Sequence, residues 1–178
     1  FFIPKNGRWS EIENKSENIG EVLDDACVEI EKANPKLQGV LTNITYNDKK
    51  NYSDEGLLAL VTHFGKKDRR LGKNDLENED VFGQAYEYML EQFADSAGQK
   101  AGEFFTPREV VRLLVELLKP QEKMKICDPT CGSGGMLIWA RKYIEEHHKN
   151  PKNISLHGQE KLPGNYGMCV MNMIVHGI

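Results

Sequence analysis

Between Ile126 and Leu137 the chain reads Ile126-Cys127-Asp128-Pro129-Thr130-Cys131-Gly132-Ser133-Gly134-Gly135-Met136-Leu137. This run predicts a buried strand that ends in an acidic residue, then a glycine-rich turn, then the start of a helix. Glycine has no Cβ and tolerates positive φ, so the backbone of such a turn can come very close to a ligand. In open α/β sheets, ligands bind at the carboxyl ends of the strands. The run therefore predicts a small-molecule site.

From Gly102 onward, helical and strand patterns alternate. Thr106-Pro107-Arg108-Glu109 predicts a helix start, with Thr106 as the cap, Pro107 in the first position and Glu109 completing a capping box. After this helix, which stops before Pro120, we predict a strand at 124–127, a helix at 136–147, a strand at 154–158 and a helix at 163–176. This order implies parallel strands joined by right-handed crossovers, the first part of a doubly wound, Rossmann-like α/β sheet. Because two strands are too few for such a sheet, we expect it to continue beyond Ile178.

Residues 1–99 are more polar and helical in pattern, and we predict a separate, mainly helical N-terminal domain there, with the α/β domain at 100–178. Apolar residues from Ile19 to Ile30 recur at helical spacing before Pro35. A second, short helix is predicted around Leu57–Phe64, followed by an acidic, turn-rich segment at Leu71–Asp80. A third helix before Gly98 carries an apolar stripe, for which we predict core packing, with a partner surface as the alternative. The stripe consists of Val81, Ala85, Tyr88, Met89, Gln92 and Phe93.

Composition limits the class of protein. The 178 residues can hold one domain, or a small domain plus part of another. The chain begins at Phe1 and ends directly after a helical pattern, so we expect it to be a piece of a longer protein. No run approaches the roughly 18 apolar residues of a membrane span, and we predict a cytoplasmic location. The net charge of −4 disfavours a broad DNA-binding surface within this chain, but it does not exclude nucleic acid as a partner of the whole protein.

The four cysteines form no CxxC pair and have no nearby histidine at metal spacing. We therefore expect reduced cysteines and no metal site.

Two familiar nucleotide-binding motifs do not fit the glycine turn. A P-loop requires a lysine after its glycines, and none is present. The dinucleotide fingerprint would need a third glycine at position 137, where the chain has Leu137. This disfavours NAD or FAD, although variants of that fingerprint exist.

The acidic residue before the turn favours a ligand with a cationic head. S-adenosylmethionine carries both an ammonium and a sulfonium group, and Asp128 precedes the turn. The second predicted strand is followed by Glu160, and a carboxylate there can accept hydrogen bonds from both ribose hydroxyls. The alternative for Glu160 is a solvated charge or an acidic residue at a helix N-terminus.

Four motifs in order give the chain a family resemblance: Gly102-Glu103-Phe104-Phe105-Thr106-Pro107, Asp128 to Gly135, Gly158-Gln159-Glu160, and Met171-Asn172-Met173-x-x-His176-Gly177. Together they resemble the modification (HsdM) subunit of type I restriction–modification systems, an S-adenosylmethionine-dependent DNA adenine-N6 methyltransferase. The N-terminal part is similar to the helical domain that precedes the catalytic domain in that subunit. The resemblance covers most of the chain.

The resemblance implies a set of cofactor-binding residues. Glu103, Phe104, Phe105, Thr106, Pro107 and Arg108 would line the methionine end, with Thr106 bonding its carboxylate. Asp128 would hold the ammonium group. Gly132, Ser133, Gly134 and Gly135 would pass under the cofactor, and Glu160 would bind the ribose. The implied partners are DNA, a specificity subunit, a second modification subunit and, in some systems, a restriction subunit.

The resemblance also implies a motif that this chain lacks. Adenine-N6 methyltransferases carry an Asn/Asp-Pro-Pro-aromatic motif that holds the flipped adenine, and no Pro-Pro pair occurs here. We expect this motif beyond Ile178, and we therefore predict no catalytic residue within the chain and no methylation by the isolated chain. In the whole protein the resemblance implies direct transfer of the methyl group to the adenine amino nitrogen, without a covalent enzyme intermediate.

Two alternatives stay open at this point. The first is an interaction module whose N-terminal helices contact a specificity subunit and DNA. The second is a related methyltransferase that acts on another planar amino group, such as a glutamine amide in a protein.

Overall fold

The structure is a computed structural model that describes residues 1–69, 80–97, 102, 104–147 and 149–178, without the side chains of Asp80 and Ala97. The predicted acidic segment at 71–79 and the predicted helix cap at Gly98 lie outside the described residues. The chain divides into two compact units, Phe1–Glu77 and Asn78–Ile178. No helix among the described residues is both long and apolar enough to cross a membrane.

The first unit is helical. It contains α1 (Trp9–Ile12), α2 (Ile19–Ala33) and α3 (Asp54–Gly65), with 3₁₀ turns at Lys5–Gly7, Pro35–Leu37 and Lys67–Arg69. The periodic apolar residues of α2 form the predicted buried face, and Pro35 follows the helix as predicted because proline cannot continue it. Ser53 caps α3 by accepting a hydrogen bond from the Gly56 amide. The buried core of this unit consists of Ile12, Ile19, Ala26, Leu57 and Val61.

The long polar loop after α2 is held by side chains of that helix. Both carboxylate oxygens of Glu31 accept hydrogen bonds from the loop, including those from the amides of Gly39, Leu41 and Thr42 at 2.7–2.9 Å. Partial burial raises the pKa of the Glu31 carboxyl, but these hydrogen bonds outweigh that effect and the net pKa is lowered. The loop is therefore ordered by a charged acceptor.

The Glu31→Gln variant should lose stability in a pH-dependent way. We expect a loss of about 1 kcal/mol in the free energy of unfolding at neutral pH, small because the carboxylate is largely solvated. A lowered folded-state pKa stabilises the fold above the ordinary glutamate pKa of 4.5 and ceases to do so as the pH falls through the folded-state value. Urea unfolding across pH 3–7 should therefore show the two proteins converging in acid, with Glu21→Gln, an exposed change on the same helix, as the control. A difference that does not change with pH would contradict this explanation.

The second unit is α/β. Its elements are α4 (Asp80–Ala97), α5 (Arg108–Leu118), β1 (Lys125–Asp128), α6 (Gly135–Glu146), β2 (Ser155–Gly158) and α7 (Pro163–Val175). The strands are parallel, as predicted, and Asp128 pairs with Gly158 at their carboxyl ends. Since parallel neighbours need a crossover, α6 connects the strands and packs on both. The core at this junction contains Cys131, Leu137 and Cys169.

The unit boundary differs from the predicted division at 99/100. Helix α4 was assigned to the N-terminal domain, but it packs on α7 in the second unit, where the Tyr86 hydroxyl donates to the Met168 carbonyl at 3.3 Å. The predicted core stripe of α4 is also wrong, because Tyr88 and Phe93 are both 61% exposed. The buried face of α4 instead carries Gly83, Leu90 and Ala94. The face of α4 that packs on α7 is determined by contacts with residues distant in sequence, such as Met168, so it could not be predicted from the local periodicity of α4.

The start of α5 differs from the predicted capping box. The helix begins at Arg108 with Pro107 in the cap position, and no side chain caps it. Thr106 therefore does not cap the helix, and Pro107 lies one position earlier than predicted. The backbone at Pro107 is extended, and its carbonyl accepts from the Val111 amide at 3.0 Å. The shift leaves Thr106 in the segment that lines the cavity described next.

Candidate cofactor site

A cavity of about 260 Å³ lies within the second unit, at the carboxyl end of β1. Four segments form its wall: one face of α4, residues 102, 104–106 and 108, the turn after β1, and the start of α6. Val111 of α5 and Asn172 of α7 complete it. The volume is close to the lower end of the roughly 300–1,000 Å³ typical of small-molecule sites, so the cavity suits a small ligand.

The glycine turn follows β1 directly, and two of its glycines have positive φ. Gly132 has φ +52°, and a Cβ there would lie 2.9 Å from the Phe104 carbonyl oxygen. Gly134 has φ +83°, and a Cβ there would lie 2.5 Å from Met173 Cε. The first glycine thus lets the turn pass close to the Phe104 segment, and the second lets it pass close to α7. Both positions favour glycine for backbone conformation, and Gly132 also requires it for space because the neighbouring atoms are backbone.

Hydrogen bonds join the turn to its neighbours. The Ser133 amide donates to the Phe104 carbonyl at 2.9 Å, which ties the two cavity segments together. The Cys131 amide donates to the Gln159 carbonyl at 3.0 Å, which ties the turn to the end of β2. Asn172, buried on α7, donates from Nδ2 to the Ser133 carbonyl at 2.9 Å. The turn is therefore fixed on three sides before any ligand binds.

Glu160 bonds the same turn from outside the cavity wall. Its Oε2 accepts from the Gly132 amide at 3.1 Å and its Oε1 accepts from the Leu162 amide at 2.8 Å. It is thus neither a free solvated charge nor part of the cavity wall. A carboxylate has about four lone-pair positions, so both oxygens keep acceptor capacity.

Most of the residues predicted to bind a cofactor do line this cavity. They are Phe104, Phe105, Thr106, Arg108, Asp128, Gly132, Ser133 and Gly135. Pro107, Gly134 and Glu160 do not line it. Pro107 precedes the first residue of α5, Gly134 supplies a positive φ in the turn, and Glu160 hydrogen-bonds the turn. Glu103 lies outside the described residues.

Charge on the cavity wall is mixed but mainly negative. Among the described lining residues, Glu87, Glu91 and Asp128 supply carboxylates and Arg108 supplies a guanidinium group. The Arg108 Cζ lies 5.2 Å from the ring centroid of Trp139, which is also in the wall. Such a wall suits a ligand that carries more positive than negative charge, with one anionic group near the start of α5.

The two buried cysteines are not poised for chemistry. Cys131 Sγ lies 3.7 Å from Cys169 Sγ, and both are free thiols. Burial raises the pKa of both thiols, that of Cys169 to about 12. Both sulfurs are therefore protonated at neutral pH and act as packing groups.

Helix α4 also contributes to the cavity wall, which was not predicted from sequence. Gln84, Glu87, Tyr88, Leu90 and Glu91 all belong to the cavity wall. The only local signal was Gly83 within a helical pattern, because a glycine in a helix interior often marks close packing.

Family models match nearly the whole chain. A model described as N-6 DNA Methylase matches residues 77–178, more than half of the chain. The chain belongs to this family. A second model, the HsdM N-terminal domain, matches residues 1–64. The boundary between the two matched regions agrees with the two compact units, so α4 falls within the N-6 DNA methylase region.

Individual relatives point to the same family. The chain is 33% identical to the HindI methylase subunit of a type I restriction enzyme from Haemophilus influenzae, covering 99% of this chain and 43% of that protein. It is 34% identical to the MjaIX methylase subunit from Methanocaldococcus jannaschii, covering 99% and 31%. A crystal structure of a type I restriction–modification methyltransferase subunit from Streptococcus thermophilus superposes with a TM-score of 0.80 at 25% identity, covering 100% of this chain and 38% of that one. The chain thus spans less than half the length of these relatives.

Proposed function

We propose that this chain is the cofactor-binding part of a type I DNA methyltransferase subunit that transfers a methyl group from S-adenosylmethionine to the N6 atom of adenine. One observation carries the proposal: the glycine turn after β1 and the Phe104–Arg108 segment meet around a single cavity that has carboxylates on its wall. Family membership and the names of the relatives support the reaction class.

The residues around the cavity fit the charges of this cofactor. S-adenosylmethionine, when bound, supplies an electrophilic methyl group on a sulfonium centre. The carboxylate of Asp128 would hold its ammonium group. Thr106 and the first turn of α5 would hold its carboxylate, because the N–H groups that begin a helix have no partner within the helix and favour anions. The guanidinium of Arg108 adds a positive charge at the same end.

The remaining predicted residues would orient the cofactor. Glycine at position 132 lets the turn pass close to the Phe104 segment, so the main chain of both segments would lie against the ligand. Phe104 and Phe105 would cover the ligand and exclude water from it. Glu160, already bonded to the Gly132 amide, would accept hydrogen bonds from the ribose with its remaining lone pairs. Because Glu160 would contact both the ribose and the Gly132 amide, ribose binding would stabilise the conformation of the glycine turn.

The doubly wound, Rossmann-like continuation of the parallel sheet is part of the same proposal, as are the partners. A subunit of this kind would act with DNA, a specificity subunit and a second modification subunit, and with a restriction subunit where the system also cleaves DNA. A cytoplasmic location follows from this proposed role.

The product of methyl transfer tests the proposal. The full-length natural polypeptide, purified with its specificity partner, should transfer labelled methyl groups from S-adenosylmethionine to DNA. We expect mass spectrometry of the digested nucleosides to show N6-methyladenine. A product of 5-methylcytosine or N4-methylcytosine, or a label on glutamine of a protein, would contradict the assignment.

A further inference from the structure

A contact between α4 and α7 holds a carboxylate at the cavity wall. Gly83 and Glu87 are one helical turn apart on α4 and so face the same side. The imidazole of His176 lies against both residues, with its side chain only 2% exposed. A Cβ on Gly83 would lie 2.6–2.8 Å from three atoms of this ring, so only glycine admits the histidine. The Glu87 side chain, 17% exposed, lines the cavity beside it.

The orientation of His176 is fixed at one ring nitrogen. Its Nδ1 lies 2.9 Å from the Asn172 carbonyl oxygen, and because a carbonyl only accepts, Nδ1 carries a proton and donates. Its Nε2 lies 3.5 Å from Glu87 Oε1 and has no hydrogen-bond partner in the part of the chain that the structure describes. Because Nδ1 already carries a proton, Nε2 can donate to the Glu87 carboxylate only in the doubly protonated imidazolium, and in that form the ring would orient Glu87.

Asn172 places a second acceptor at the same cavity. It is 1% exposed, and its Nδ2 must face the Ser133 carbonyl because that oxygen can only accept. Its Oδ1 is therefore the opposite atom, and it has no hydrogen-bond partner among the described residues. A buried acceptor without a donor is costly, and Asn172 belongs to the cavity wall, so a ligand donor that reaches this oxygen would be stabilised.

The acceptors at this wall call for a ligand group that is both cationic and rich in donors. Glu87, Glu91 and Asp128 contribute carboxylates, of which Glu91 is exposed and Glu87 is largely buried, and Asn172 contributes the unpaired oxygen. A sulfonium has charge but no N–H, whereas an adenine amino group has N–H but no charge. An ammonium group has both a positive charge and three N–H donors.

We propose that Glu87 binds the ammonium group of the amino-acid portion of S-adenosylmethionine, next to Asn172 and Asp128, and that His176 is the positioning residue that orients Glu87. This inference rests on the proposed function. It assigns to α4 a direct part in cofactor binding and gives the Gly83–His176 contact a purpose beyond packing.

Titration calorimetry with three ligands tests it on the full-length natural polypeptide. S-adenosylmethionine and S-adenosylhomocysteine both carry the ammonium group, whereas 5′-methylthioadenosine lacks it. The Glu87→Gln variant should bind the first two about tenfold or more weakly, since the ammonium group then faces a neutral amide in place of a carboxylate. Its affinity for 5′-methylthioadenosine should equal that of the wild type. The matched control is Asp95→Asn, which removes an exposed charge from the same helix away from the cavity and should leave all three affinities unchanged.

His176→Asn separates positioning from packing, because it keeps a donor for the Asn172 carbonyl but removes Nε2. We expect the same ligand-selective loss, smaller than for Glu87→Gln, with a melting temperature that confirms folding. An unchanged affinity of folded Glu87→Gln for S-adenosylmethionine, or an equal loss for 5′-methylthioadenosine, would overturn the inference while the proposed function survives. Failure of the folded wild type to bind S-adenosylmethionine would instead overturn the proposed function.

Discussion

Replacing Gly132 with valine should abolish binding of S-adenosylmethionine to the full-length polypeptide. The residue has φ +52°, a conformation that costs a non-glycine residue about 1–2 kcal/mol and a β-branched residue more. The added Cβ would also lie 2.9 Å from the Phe104 carbonyl oxygen, which is backbone and cannot move alone.

The consequence reaches both walls of the cavity. The Phe104 carbonyl also accepts from the Ser133 amide, so pushing it away separates the glycine turn from the Phe104 segment. Both segments supply the contacts proposed for the cofactor. We expect at least a hundredfold loss of affinity by calorimetry, which corresponds to about 3 kcal/mol.

The matched control is Gly39→Val. Gly39 has φ +74°, lies in the first unit, and has no atom within 4 Å of the position that a Cβ would occupy. The backbone strain should lower the stability of this variant without changing its affinity for S-adenosylmethionine. Equal losses of affinity in the two variants would show that strain alone, and not the contact with Phe104, governs binding.

A second large effect is expected at Gly83, where valine should separate α4 from α7. Its Cβ would meet three atoms of the buried His176 imidazole at 2.6–2.8 Å, and that ring is held by the Asn172 carbonyl. Overpacking of this kind typically costs about 1–3 kcal/mol. We expect a loss at the upper end of that range, because the ring has little room to rotate.

Hydrogen exchange can locate this effect. In Gly83→Val, amides of α4 should exchange faster, whereas those of α2 in the first unit should not change. Gly164→Val is the control. It also replaces a helical glycine with valine, but the Cβ position at Gly164 has no atom within 4 Å. If the amides of α4 kept wild-type protection in Gly83→Val, the contact between α4 and α7 would be wrong.

The local elements of this fold are predictable from sequence because their signals are local. Apolar spacing located α2, Pro120 followed the end of α5, and alternating patterns gave two parallel strands with α6 between them. The glycine turn was recognised for the same reason, since its residues are consecutive. For these elements the physics that forms the structure acts between near neighbours.

Non-local contacts decide what the sequence could not reveal. Gly83 contacts His176, which lies 93 positions later in the sequence, and nothing in the periodicity of α4 indicates this contact. The predicted apolar stripe is therefore exposed while Leu90 is buried. Thr106 fits a capping box by residue type, but Pro107 occupies the cap position and the Thr106 hydroxyl does not cap the helix. In both cases tertiary packing outweighed a local preference.

A crystal structure of the full-length polypeptide grown with S-adenosylmethionine tests the central claim most directly. We expect ligand density in the cavity between α4 and the glycine turn. The ammonium group should lie within hydrogen-bond distance of Glu87 and Asp128, and the carboxylate should lie near Thr106 at the start of α5. Ligand density at another site, with this cavity left empty, would contradict the account.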